Sequence, residues 1–151
     1  MGFIGRIVEM LQGRAKTRIP EQLQILGAPI ELIEEAKAKP ALEQEEILLR
    51  YVEGKHAAIL DWRATGEDLY EELAPLLTLE ERGLLPPREE LPDDVSLAIA
   101  SIRRAFASAP RALVHTESFG DFSLLFLVPR NREAPFVRSA GAWVIPSHNP
   151  V

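Results

Sequence analysis

Ala112 to Pro129 reads ALVHTESFGDFSLLFLVP. Two apolar runs rich in Val, Leu and Phe flank Phe119-Gly120-Asp121, where glycine and aspartate favour a tight turn. This is the one long stretch with strand character, and nearly all the rest of the chain has helical spacing. The stretch therefore predicts a central hairpin over about residues 112–129, with helices that need its sheet to cover.

The turn leaves two registers open. A two-residue turn at Gly120-Asp121 pairs Phe119 with Phe122 and sets His115 and Glu117 among Phe122, Leu124 and Phe126. A three-residue turn pairs Glu117 with Ser123 and His115 with Leu125. Both keep His115 and Glu117 on one side of their strand.

Immediately before the hairpin, Val95 to about Ala107 carries Val95, Ala98, Ile99, Ile102, Ala105 and Phe106 as one stripe. Asp93 or Asp94 caps its start, and Arg103 and Arg104 suit its negative end. This helix is expected to cover Leu124 and Phe126. Further upstream, Ala57 to Trp62 reads as a short strand. Thr65-Gly-Glu-Asp68 opens a helix to about Leu77, with Leu69, Leu73, Leu76 and Leu77 inward and Pro75 marking a kink or short final turn. Thr78 starts one more turn, ended by Gly83, and residues 84–92, LLPPREELP, read as a surface connection.

Two helices separated by Pro40 precede the first strand. One begins at Pro29 and runs to about Lys39 with Ile30 and Ile33 inward. The other, Ala41 to Glu53, has Leu42, Leu48, Leu49 and Val52 on one face and Gly54 as its cap. Its Glu43, Glu45 and Glu46 form a solvated face, since they radiate from a helix instead of converging as metal ligands do. At the start of the chain, Phe3 to Leu11 makes a short amphipathic helix ended by Gly13, followed by a basic linker, Arg14 to Arg18. Beyond the hairpin, Asn131 to about Ala140 is a weak helix or irregular turn interrupted by Pro135. Ala142 to Ile145 follows as a last strand, with a polar tail from about residue 146. The order predicts a single α+β domain over residues 1–151, with a small, mostly antiparallel sheet covered by amphipathic helices.

Composition fits a globular chain, 46% apolar and 26% charged. The absence of cysteine excludes disulfides and thiolate chemistry. No apolar run reaches the roughly 18–20 residues of a membrane span. Acidic Glu9 breaks the first apolar run, and Arg6 replaces the hydroxyl residue of a myristoylation signal. A cytoplasmic location is the expectation. Net charge is −6, and residues 1–90 alone carry −7. Such a chain favours a basic protein partner over nucleic acid.

His115 and Glu117 are the sharpest chemical pair, with Asp61 and Asp121 as candidate orienting carboxylates for a general base. Ser118, His115 and Asp121 hold the letters of a triad but sit too close along one hairpin for its geometry. His56 and His148 lack ligand spacing to His115, and no metal or cofactor is expected. Arg103, Arg104, Arg111, Arg130, Arg132 and Arg138 fall near the ends of the helix and hairpin. They read either as a scattered solvated surface or as a site for an acidic peptide, a phosphate or the chain's own acidic first half. Trp62 and Trp143 are expected to cover core or a sheet edge.

ILDWR at 59–63 together with HTESFGDFSLLFLVPR at 115–130 resembles bacterial domains of unknown function. The likeness spans about half the chain and brings no catalytic signature. Abundant Arg and Pro with only four Lys fit a GC-rich or thermophilic bacterial source.

The leading reading is a non-enzymatic protein-interaction module of immunity or regulatory kind, presenting an acidic surface. The second is a small-ligand-binding protein or metal-independent hydrolase using His115, Glu117 and Asp61. One outcome follows from charge alone. A fluorescence-anisotropy titration with duplex DNA at physiological salt should show no binding; micromolar affinity with a steep salt slope would contradict the reading.

Overall fold

The computed structural model describes residues 18–117, 122–141 and 144, with Glu117 described by its backbone alone. The expected helix at 3–11 and the turn with Ser118 and Asp121 lie outside those residues, as do Trp143, His148 and the tail. The hairpin is present, with β2 at Arg111–Glu117 and β3 at Phe122–Pro129. Its register is that of the three-residue turn: Glu117 pairs with Ser123 and His115 with Leu125. β1, Ala57–Asp61, pairs with the other side of β3, giving the antiparallel order β1-β3-β2. The expected last strand is represented by Val144, which bridges Thr116 antiparallel.

β3 is the middle strand, and every side chain from Leu124 to Val128 is buried. A central strand with both faces covered reads as a continuous apolar run, which is what LLFLV at 124–128 is. Seven α-helices among the described residues form the two covers. On one face lie α1 (Ile19–Ile25), α2 (Ile30–Lys37), α3 (Ala41–Val52) and α7 (Glu133–Ala140). There Leu23, Ile33, Leu48, Val52 and Phe136 meet Val114, Leu124, Phe126 and Val128. On the other face α4 (Gly66–Leu73) and α6 (Val95–Ala105) bring Leu69, Leu73, Ile99 and Ile102 against Leu60, Leu113, Leu125 and Leu127. α5 is the single turn Leu79–Arg82.

The fold is thus α+β as the patterning predicts, but the facing of the hairpin differs. Leu124 and Phe126 point away from α6, and Leu125 and Leu127 take the contact expected of them. Alternation puts the two pairs on opposite faces in either register, and α6 packs on the face of Leu125 and Leu127. Phe126 packs instead on Phe136, with ring centroids 4.9 Å apart.

Local chemistry explains most boundaries. Thr65 with Asp68 and Thr78 with Glu81 form reciprocal capping boxes, and the Asp94 carboxylate accepts from the Leu97 N–H. Pro75 sits in a 3-10 turn, Ala74–Leu76, that ends the α4 run. α1 is an element the sequence reading passes over, although Pro20 stands in its first turn and Ile19, Leu23 and Leu26 share one face. α7 is a regular helix, not an interrupted one. Pro135 occupies its first turn, where the missing N–H has no intrahelical acceptor to lose. Ile30 and Leu42, expected inward, are exposed, and Ile47 is buried in α3.

The connection at 84–92 is tied down at its end. Gly66 N–H donates to the Asp93 carbonyl at 3.0 Å, and Thr65 bridges Asp94. A Cβ on Gly66 would stand 1.9 Å from the Pro92 carbonyl oxygen, so only glycine lets the two segments meet.

Phe126 is 1% exposed in the middle of the middle strand. Phe126→Ala should lower stability by about 3–5 kcal/mol, because the cavity would be walled by both helices and sheet. Chemical denaturation measures it; an unchanged midpoint would mean the ring is not part of the core.

Candidate functional site

His115 lies on the α6 side of β2, beside Leu113, and is 9% exposed. Its Nε2 is 3.1 Å from Ser123 Oγ across the pair of strands. Burial, with the Arg103 guanidinium as a second cause, pushes its pKa down from the ordinary 6.5 to about 4. A general base for neutral pH works best with a pKa near neutrality, which a carboxylate neighbour helps to keep against burial. Here the charged neighbour is a cation.

Asp61 is the carboxylate that the sequence offers from another strand. The registers put it opposite Phe122, on the α1–α3 side of the sheet, whereas His115 pairs with Leu125 on the α6 side. β3 lies between their strands, so the two are about 10 Å apart laterally and face opposite ways. Asp61 is instead an exposed group whose Oδ1 accepts from Arg63 N at 2.8 Å and from Arg63 Nε at 3.4 Å. Those bonds hold its carboxyl below the usual range. Glu117 shares the strand side of His115 by spacing, and its side chain lies outside the described residues. The constellation of the second reading is therefore not assembled from its described members: alternation on one sheet sends His115 and Asp61 to opposite faces.

The arginine candidates are divided between structural duties and open surface. Arg111 grips Glu81, Nε to Oε2 at 2.8 Å and Nη2 to Oε1 at 2.5 Å, and also donates to the Leu76 carbonyl at 3.1 Å. The Glu81 side chain is 3% exposed. Arg111 holds its carboxyl below the usual range, against the opposing effect of burial. Arg130 caps the end of α6, its Nε donating to the Ala109 carbonyl at 2.8 Å and its Nη2 to that of Phe106. Arg103 is half-buried beside His115, and burial lowers its pKa. Arg104, Arg132 and Arg138 are exposed. Two of the six are thus committed to internal acceptors and do not form a free anion site.

His56 stacks on Tyr51 at a centroid distance of 5.1 Å, and burial lowers its pKa, helped by Arg111 and Lys55. Among the described residues no group of three or more His, Asp or Glu side chains is placed to hold a metal ion, and no helix is long and apolar enough to cross a membrane.

A groove of about 340 Å³ lies between the outer edge of β1 and α4. Ile59, Leu60 and Asp61 line one side, and Asp68, Glu71 and Glu72 the other, with Arg63 at the end. At the turn that follows β1 stands Trp62, 69% exposed, with the Arg63 guanidinium 5.4 Å from its ring centroid. Of the two expectations for Trp62, core or a sheet edge, its exposure excludes the core, and it stands at the end of the edge strand β1. The sequence carried a signal for the groove: Asp68, Glu71 and Glu72 recur at helical i, i+3, i+4 spacing beside a strand that ends in Asp61-Trp62.

No family model matches this chain, and no curated protein or solved structure matches it.

The buried imidazole has a measurable consequence. In the unfolded chain His115 takes up a proton near pH 6.5, but in the fold only near pH 4. Its contribution is complete above pH 6.5 and is lost as pH falls toward 4, because the unfolded state then binds the extra proton. Between pH 7 and pH 5 the loss should be about 2 kcal/mol. His115→Gln should remove this pH-dependent part. Urea unfolding of both proteins at the two pH values tests it, and an identical pH dependence would show that His115 is not buried neutral.

Proposed function

We propose that this chain is a cytoplasmic, non-enzymatic protein-interaction module of regulatory kind whose acidic surface takes a basic protein partner. The observation that carries this reading is the distribution of charge from β1 to the start of α6. Residues 61–94 hold eleven acidic and three basic side chains, a net −8. Ten of the eleven acids are exposed, and the buried one, Glu81, is the partner of Arg111. Carboxylates at this density keep one another poorly compensated and draw cations through solvent over about a Debye length.

Apolar side chains stand within the same segment. Trp62 and Leu79 are 69% and 85% exposed. Exposed aromatics amid charge suit association, where Trp anchors contacts and the surrounding charges set encounter rate and partner choice. The competing hydrolase reading loses its support from geometry, since Asp61 and His115 occupy opposite faces of the sheet. The bacterial resemblance rests on 59–63 and 115–130, which carry the end of β1 and most of the hairpin; a bacterial source remains part of this proposal.

An array of peptides graded in net charge tests the reading. Lys- and Arg-rich peptides should bind the full chain, and binding should weaken steeply as salt rises from about 0.05 to about 0.5 M. Preference for acidic or neutral peptides, or binding indifferent to salt, would overturn it.

A further inference from the structure

The outer edge of β1 has a definite hydrogen-bonding phase. Leu127 N–H donates to the His56 carbonyl at 2.7 Å, and His56 stands opposite Leu127 in the register that pairs Ala57 with Phe126. In an antiparallel ladder the residues whose backbone groups face the partner strand recur at every second position. Ala58 and Leu60 therefore turn their N–H and C=O groups toward β3, and Ala57, Ile59 and Asp61 turn theirs outward. The other side of β3 is consistent with this phase: Arg130 N–H donates to the Pro110 carbonyl at 2.8 Å, so the even-numbered residues of β3 serve β2.

Two of the three outward positions are partly occupied. Ala57 is bridged by Glu53, and the Asp61 carbonyl accepts from the Ala64 N–H at 2.9 Å. What remains is the N–H and C=O pair of Ile59 with the N–H of Asp61, a short edge that opens into the groove beside α4. An unpaired edge is a template for another strand, and proteins commonly blunt it with charge. Here the charge beside the edge has one sign in excess: Asp61, Asp68, Glu71 and Glu72 against Arg63. Arg88 takes part of this charge by pairing with Glu71 and Glu67.

We infer that the groove between β1 and α4 takes an extended basic segment of the partner protein, added as a short fourth strand at Ile59. This deepens the proposed function and rests on it. Main-chain pairing to Ile59 supplies the register. Alternate side chains of the added strand point toward α4, about 7 Å apart, and Lys or Arg at those positions reaches the carboxylates of its outward face. The exposed Trp62 ring, next along the chain from Asp61, offers a face for an aliphatic or cationic side chain at the end of the segment. A second copy of the chain is a poorer occupant. Pairing β1 with another β1 would bring two sets of these carboxylates together, and like charges directly opposed are destabilising.

The test uses the full chain and a capped basic heptapeptide, Thr-Lys-Val-Arg-Thr-Lys-Thr, read by amide hydrogen exchange in NMR spectra. In the free protein the Ile59 amide should exchange faster than those of Ala58 and Leu60, and saturating peptide should slow it by about tenfold or more. The same peptide with N-methylated central amides should lose most of its affinity, and Glu72→Lys should weaken binding by roughly tenfold. Salt-sensitive binding that leaves Ile59 exchange unchanged would overturn the groove while leaving the acidic-surface reading intact. Absence of binding by the basic peptide would sink both. An Ile59 amide already protected in the free protein, with a dimer in sedimentation equilibrium, would assign the edge to a second copy and overturn the inference.

Discussion

The structure depends on one constraint: β3 must be covered on both faces and both edges at once. Its buried run from Leu124 to Val128 has one set of side chains for each layer of helices, and its backbone serves β1 on one side and β2 on the other. Neither layer can bury its stripe without it. Phe126 is the hinge of the first layer, against Phe136, and Leu125 and Leu127 belong to the second. A three-stranded sheet is small for two covers, which is why the helices also meet each other, as α1 does with α7 and α4 with α6.

Polar groups follow the same division between inside and outside. Where charge enters the interior it is fully engaged. Glu81 receives two bonds from Arg111 and one from the Thr78 backbone at 2.9 Å, and the Arg130 guanidinium supplies donors to carbonyls that the end of α6 leaves over. Breaking such a pair strands a charge in a poor solvent, so these arginines are held by the fold. His115 reaches the same end by remaining neutral. The surface between β1 and α6 follows another rule, with ten carboxylates and an exposed Trp62 left to solvent. Asp68 and Asp94 serve as helix caps and Glu67 and Glu71 pair with Arg88, but charge of one sign at this density still repels itself.

What the sequence discloses is what adjacent residues decide among themselves. The capping boxes at Thr65 and Thr78, the Asp94 cap, and the strands of the hairpin are local, and they stand where their chemistry puts them. The facing of Phe126 is not legible, because it turns on which side of the sheet α6 packs, a matter of topology that no neighbouring residue decides. The separation of Asp61 from His115 was hidden for the same reason: each looks catalytic alone, and a single intervening strand with its alternation divides them. Pro135 misled because a proline breaks a helix in its interior and suits it in the first turn. Of the groove, the acidic spacing on α4 was visible, and the open edge beside it required the topology.

The place of β3 in the chain also has a consequence for synthesis. α1 to α3 are made first, and β3 begins some seventy residues after α3 ends at Val52. At about 5–20 residues per second, that delay is roughly 4–14 s. Through it the side of Leu23, Ile33, Leu48 and Val52 that will meet the sheet has only neighbouring helices to lean on. During that interval the first layer is incomplete, because α7 follows β3 in the chain, and the sheet-facing side of α1 to α3 stays wet. Transiently exposed apolar surface of that kind is prone to aggregate until translation supplies the strand that covers it.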